Sequence, residues 1–271
     1  MAGFATRLNL HHYPINPYLM TWNTIMGLIS SFALIIPIIL ILVLRLGGYR
    51  SFPALLIYYS SVFIYNLMTE GYIRVGENVI HYWGITNNLL DLPLILYFLT
   101  YFSLSPEFKQ KMKILILGFI LFEAIVMIIT GYTINGITII LGPGLVIISG
   151  FCLHFFIRFV TMAIEHRKST GKALIAGSLL FAYGCFSILY VMFYIVKTEF
   201  IDDTFLIYFI ATTISALLMS AGLVFEWGRI KKIRELKITR KELTDIYKEA
   251  NQAAPNRTTR LDLDFDKEAW N

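Results

Sequence analysis

Seven runs of predominantly apolar residues, at about 22–45, 52–70, 81–104, 112–131, 137–163, 172–196 and 204–228, constrain this 271-residue chain more than any other feature. About 20 apolar residues in a helix cross the hydrocarbon core of a bilayer. In lipid the backbone must satisfy its own hydrogen bonds, so each run is expected to be a membrane helix. The short alternating segments of a transmembrane barrel do not occur here. The chain is 57% hydrophobic and 15% charged, whereas soluble domains run near 45–50% and 25%. A water-soluble globule and a disordered chain are thereby excluded. The expected fold class is all-α: a seven-transmembrane helix bundle, multi-pass in the cell membrane, over residues 22–228. An N-terminal arm (1–21) precedes it, and an amphipathic helix with a tail (229–271) follows.

Cationic residues set the expected orientation. Arg45 and Arg50 follow the first run, Lys109, Lys111 and Lys113 the third, and Arg158, Arg167, Lys168 and Lys172 the fifth, and 11 more lie after Trp227. Only Arg7, Arg74 and Lys197 fall on the opposite side, so 20 of the 23 Lys and Arg share one face. Cytoplasmic loops carry the excess of Lys and Arg, which predicts an outside N-terminus and a cytoplasmic C-terminus. The same distribution accounts for the net charge of +5 without nucleic acid. Residues 1–20 hold one early Arg and no apolar core with a cleavage site, so the first run is expected to be a permanent span. Trp22, Trp83 and Trp227 stand at predicted boundaries, where indoles anchor helices at the headgroups. Pro37 and Pro93 are expected to kink their spans, and Gly142-Pro143-Gly144 to bend or begin the fifth.

The informative positions are polar residues inside the runs. Asp91 lies ten residues after His81, roughly 15 Å below the outer boundary at 1.5 Å per residue. Asn87 and Asn88 precede it by four and three residues and share its face. Glu123, in the fourth run, falls at similar depth, and His154 sits in the inner half of the fifth. A carboxylate at the bilayer centre costs at least ~2.5–3.5 kcal/mol, so such groups face the bundle interior and pair there. Two carboxyls at one depth cannot both stay charged without a counter-ion, so at least one of Asp91 and Glu123 is expected to be neutral at pH 7. Asp91, Asn87, Asn88, Glu123 and His154 are therefore the candidate ligand- or proton-binding residues. The competing reading is that polar groups only hold helices together, at about 0.6 kcal/mol per bond.

Seven helices with an outside N-terminus resemble the rhodopsin and receptor layout, and Pro93-Leu94-Ile95-Leu96 is similar to a run in microbial rhodopsins. The resemblance is one of topology and implies no site residues. A retinal pigment needs a lysine in its last span for the Schiff base, and 204–228 contains none, so no cofactor is expected. Cys152 and Cys185 lie in apolar runs and read as small buried hydrophobes. His154 stands alone in the spans, adjacent His11 and His12 make no ligand set, and no phosphate loop or activated nucleophile is present, so no metal site and no catalytic residue are expected.

Residues 229–254 read as a basic amphipathic helix in which Leu236, Leu243 and Ala250 recur every seven. Such a helix lies on an anionic membrane surface, or it continues the seventh span and dimerises. Pro255 should end it. Beyond it, Leu261, Leu263 and Phe265 alternate with Asp262, Asp264 and Asp266, the pattern of a strand that adds to a partner's edge or of a frayed tail. The function expected is that of a receptor-like sensor of a small ligand or proton, signalling to a cytoplasmic protein partner through 229–271. The alternatives are a small-solute or proton-coupled transporter and a non-catalytic structural membrane subunit.

Overall fold

The computed structural model describes residues 22–103, 105–166, 169–196 and 201–253. The N-terminal arm with its paired histidines and the alternating segment after Pro255 lie outside the described residues. Seven long helices follow one another: α1 (Trp22–Val43), α2 (Phe52–Thr69), α3 (Glu77–Leu99), α4 (Pro106–Thr130), α5 (Ile134–His166), α6 (Thr170–Tyr190) and α7 (Ile201–Ala253). A 3-10 turn, Thr100–Phe102, extends α3, and a π-helical stretch, Val191–Val196, extends α6.

Local chemistry explains the boundaries. Pro53 and Pro106 occupy the first turns of α2 and α4, where a missing N–H costs no hydrogen bond. Ser105 caps α4 by accepting from the Phe108 amide at 3.2 Å. Gly131, at φ 73°, ends α4 in a conformation that disfavours a side chain. Among the described residues three non-glycines also take left-handed backbone: Arg45 (φ 53°) and Arg50 (φ 48°) in the α1–α2 turn, and Ser169 (φ 67°) before α6.

Solvent and lipid preferences are inverted relative to a soluble domain. Ile128, Ile129, Val146 and Ile164 are each more than 70% exposed. Meanwhile Asn66, Asn87, Asn88, Asp91, Glu123, Lys172 and Glu226 are buried. Such an exterior is stable against acyl chains and not against water. Among the described residues six helical segments are long and apolar enough to cross a membrane: Ile25–Val43, Phe52–Thr69, Pro106–Thr130, Ile134–Glu165, Thr170–Tyr190 and Leu206–Lys248. The protein is thus a multi-pass membrane protein with an all-α, multi-spanning bundle. The expected third run, now α3, is the long helix that falls short on hydropathy. Asn87, Asn88 and Asp91 lower its mean, and it packs against α2, α4 and α5.

In the fifth run Gly142-Pro143-Gly144 does not begin the helix but lies inside α5, which is helical from Ile134 to His166. Pro143 deprives the Ile139 carbonyl of its helical donor. At the adjacent carbonyl, that of Thr138, the Tyr190 hydroxyl donates at 3.0 Å. Gly142 leaves space for that hydroxyl, because a Cβ there would stand 2.9 Å from it. Tyr190→Phe should therefore cost about 1 kcal/mol, read by hydrogen-exchange mass spectrometry as faster exchange confined to peptides covering 134–144. Unchanged exchange there would remove Tyr190 from the account of this segment.

Trp83 makes a contact between helices. Its indole N–H donates to the Ser61 carbonyl at 3.4 Å and ties α3 to α2. The chain divides into two compact units, Met1–Glu226 and Trp227–Asn271. In the second, Leu236, Leu243 and Ile246 are exposed, and Lys231 pairs with Glu235 one turn on at 3.9 Å.

Candidate functional site

The inward face of α3 organises the polar interior. Asn87, Asn88 and Asp91 fall on one stripe because residues three and four apart stack on a helix, and all three are buried. The Asn88 side-chain amide donates to the Gly84 carbonyl one turn back at 2.8 Å. That bond fixes which way the amide faces, since a carbonyl there can only receive a donor. The Asn88 Oδ1 is left without a hydrogen-bond partner among the described residues. Asp91 Oδ1 accepts from the hydroxyl of Tyr183 on α6, itself fully buried. Hydrogen bonds to a carboxylate are worth about 1.5–3 kcal/mol, so this contact fixes α3 against α6.

Two small cavities flank Asp91. One, of about 30 Å³, is lined by Tyr58, Tyr65, Asn87, Asp91, Tyr208 and Thr212 among others, from α2, α3 and α7. The second, of about 10 Å³, lies between α3, α4, α5 and α6, with Asn88, Asp91, Glu123 and Tyr183 as its polar lining. Room for one water needs about 10–15 Å³, and organic ligands of drug size occupy about 300–1,000 Å³. Guests here are therefore limited to one water or ion in the second cavity and to two or three waters in the first. Glu123 is 6% exposed, and its Oε1, like the Asn88 Oδ1, has no hydrogen-bond partner among the described residues. The two carboxyls that sequence placed at one depth share this second cavity.

His154 is not brought to the cluster. It is exposed, lines neither cavity, and rests its ring 5.9 Å from Phe108 and 5.4 Å from Phe155. The reason is helical phase: the buried stripe of α5 runs Leu145, Ile148, Cys152, Phe155 and Phe159, and residue 154 falls off it.

A further buried group was not legible as a site. Glu226, near the end of the seventh apolar run, is 0% exposed and accepts a hydrogen bond from the Tyr101 hydroxyl. Lys172 is also buried, its ammonium 5.1 Å from the Tyr101 ring and 5.0 Å from the Phe159 ring. Sequence reading counted Lys172 as a cytoplasmic flank. The available signal was one acid and one base at the inner ends of neighbouring runs. α6 and α7 meet closely here. Ser178 Oγ donates to the Ser215 carbonyl at 2.9 Å and Ser215 Oγ to the Ser178 carbonyl at 3.2 Å. Gly171 lies against the Glu226 backbone, and Gly222 against Ile175. Small residues let membrane helices approach so closely.

Fold and interior together define a multi-pass membrane protein with a buried polar centre. No family model matches the chain, and no curated protein or solved structure matches it either. Among the described residues no group of three or more His, Cys, Asp or Glu could hold a metal ion.

Proposed function

We propose that the protein is a receptor-like sensor of a proton or a single small guest, seated at Asp91, Asn87, Asn88 and Glu123. In this reading it has seven spans, with α3 as the third, an outside N-terminus, and a signal that leaves through α7 to a cytoplasmic protein partner. The observation that carries the reading is Asp91 itself: a buried carboxyl bordering two small cavities, facing Glu123 in one and tied to α6 by Tyr183. An occupant that binds or protonates Asp91 changes what Tyr183 meets, and thereby biases α3 against α6. A signal requires such a differential interaction between two states. The cavity volumes favour a proton or a water-sized guest over an amphipathic ligand. The one-sided distribution of Lys and Arg supports the orientation.

A carrier is the second reading, because Asp91 borders both cavities and a proton on it could pass between them. The test uses the full chain in lipid nanodiscs with an environment-sensitive fluorophore at position 238. A pH step from 8 to 5.5 should shift its emission, and Asp91→Asn should abolish the shift. In liposomes, dissipation of an imposed pH gradient that disappears in Asp91→Asn would favour the carrier. A silent label and no flux would leave a scaffold.

A further inference from the structure

The polar lining of the second cavity is rich in acceptors: Asn88, Asp91, Glu123 and Tyr183. One N–H of the Asn88 amide is committed to the Gly84 carbonyl, and the Tyr183 hydroxyl to Asp91. Among the described residues the Asn88 Oδ1 and the Glu123 Oε1 are buried and without hydrogen-bond partners, and the Asp91 carboxyl shares the lining with them. The rest of the wall is apolar: Leu92, Phe119, Ile140, Leu145 and Ile148 surround the oxygens.

A buried acceptor without a donor costs about 1–3 kcal/mol, and more when it is charged. Two such atoms beside a shared cavity therefore call for a guest that supplies positive charge or donors to both. An anion would meet two carboxyl groups. An organic cation exceeds a volume of about 10 Å³. Mg²⁺ keeps several of its waters and demands octahedral geometry, for which there is no space. A bare monovalent cation fits the volume, the oxygen chemistry and the charge.

We propose that this cavity binds one Na⁺ ion between α3 and α4, held by the Glu123 carboxylate, the Asn88 carbonyl oxygen and the Asp91 carboxylate. The inference rests on the sensor reading's cluster and names the small guest. The ion draws α4 onto α3, and the hydrogen bond from Tyr183 to Asp91 carries its presence to α6.

The experiment compares melting of the purified full chain in NaCl, KCl and choline chloride at equal ionic strength. A ligand that binds only the folded state stabilises by RT ln(1 + [L]/Kd), so Na⁺ at ten times its Kd should raise the Tm by roughly 3–6 °C. The rise should saturate with Na⁺, and Glu123→Gln, which keeps the side-chain shape, should abolish it. Binding of ²²Na⁺ should approach one ion per wild-type chain and fall to background in Glu123→Gln, a readout independent of stability. A melting temperature no higher in NaCl than in KCl or choline chloride overturns the site, as does a Na⁺ effect that survives Glu123→Gln unchanged. If that happens while the label at position 238 still answers to pH, the sodium site alone falls. If Na⁺ binds and the label stays silent, the sensor reading alone falls.

Discussion

Gly171→Val is expected to lower the Tm of the purified protein by roughly 6–12 °C, from a loss of about 3 kcal/mol at about 2–4 °C per kcal/mol. A Cβ at position 171 would lie 2.5 Å from the Glu226 backbone nitrogen and 2.9 Å from its Cα. Backbone atoms cannot rotate away as a side-chain tip does, so α6 and α7 must separate. Separation breaks the reciprocal Ser178–Ser215 bonds further along the same contact. It also opens the space between Gly222 and Ile175, where a Cβ on Gly222 would already lie 2.9 Å from the Ile175 nitrogen. Gly184 is the internal control: it is on the same helix, and nothing lies within 4 Å of its would-be Cβ. Gly184→Val should leave the Tm within about 2 °C of wild type, the size of an ordinary surface change. Equal losses in the two variants would mean that valine in α6 costs stability by itself, and that the close crossing with α7 is irrelevant.

Glu226→Ala should cost about 2–4 kcal/mol, because it combines a buried void with a lost hydrogen bond to a carboxylate. Glu226 is fully enclosed, and the Tyr101 hydroxyl that donates to it belongs to a residue only 4% exposed. The buried Lys172 ammonium lies over the same tyrosine ring. Removing the carboxylate therefore leaves positive charge in a pocket that has lost a neighbouring negative one. Glu226→Gln keeps the volume and an acceptor for Tyr101 and should lose less than half as much, whereas Tyr101→Phe should lose about 1.5–3 kcal/mol. Chemical denaturation in mixed micelles would rank the three. Glu226→Ala as stable as wild type would mean that the carboxyl has no part in joining the end of α3 to α7.

Much of the bundle can be read directly from the residue order. Helices in lipid announce themselves by length and apolarity, and the observed limits of α1 and α2, Trp22–Val43 and Phe52–Thr69, lie within two residues of the apolar runs. The α3 stripe is equally legible, since helical periodicity alone puts Asn87, Asn88 and Asp91 on one face. Depth was less reliable. Glu123 and His154 both read as intramembrane polar residues, yet Glu123 faces the shared cavity and His154 does not. The difference is one of rotation about the helix axis, which hydropathy along an evenly apolar helix does not encode. The turn before Pro143 shows a related limit: a breaker motif reports a lost donor, whereas the Tyr190 hydroxyl that bonds within that turn arrives from another helix.

By itself the order of residues determined that this chain is a helical membrane protein and that a polar stripe crosses its third apolar run. Both follow from local rules: backbone groups in lipid must bond within their own helix, and side chains three or four apart share a face. Tertiary structure alone decided which polar groups meet. It set Asp91 and Glu123 on one cavity, gave Asp91 its tyrosine from α6, enclosed Glu226 with Tyr101, and turned His154 outward. Those pairings depend on how each helix is rotated against its neighbours, and that rotation is set by packing between residues as much as 125 positions apart in the chain.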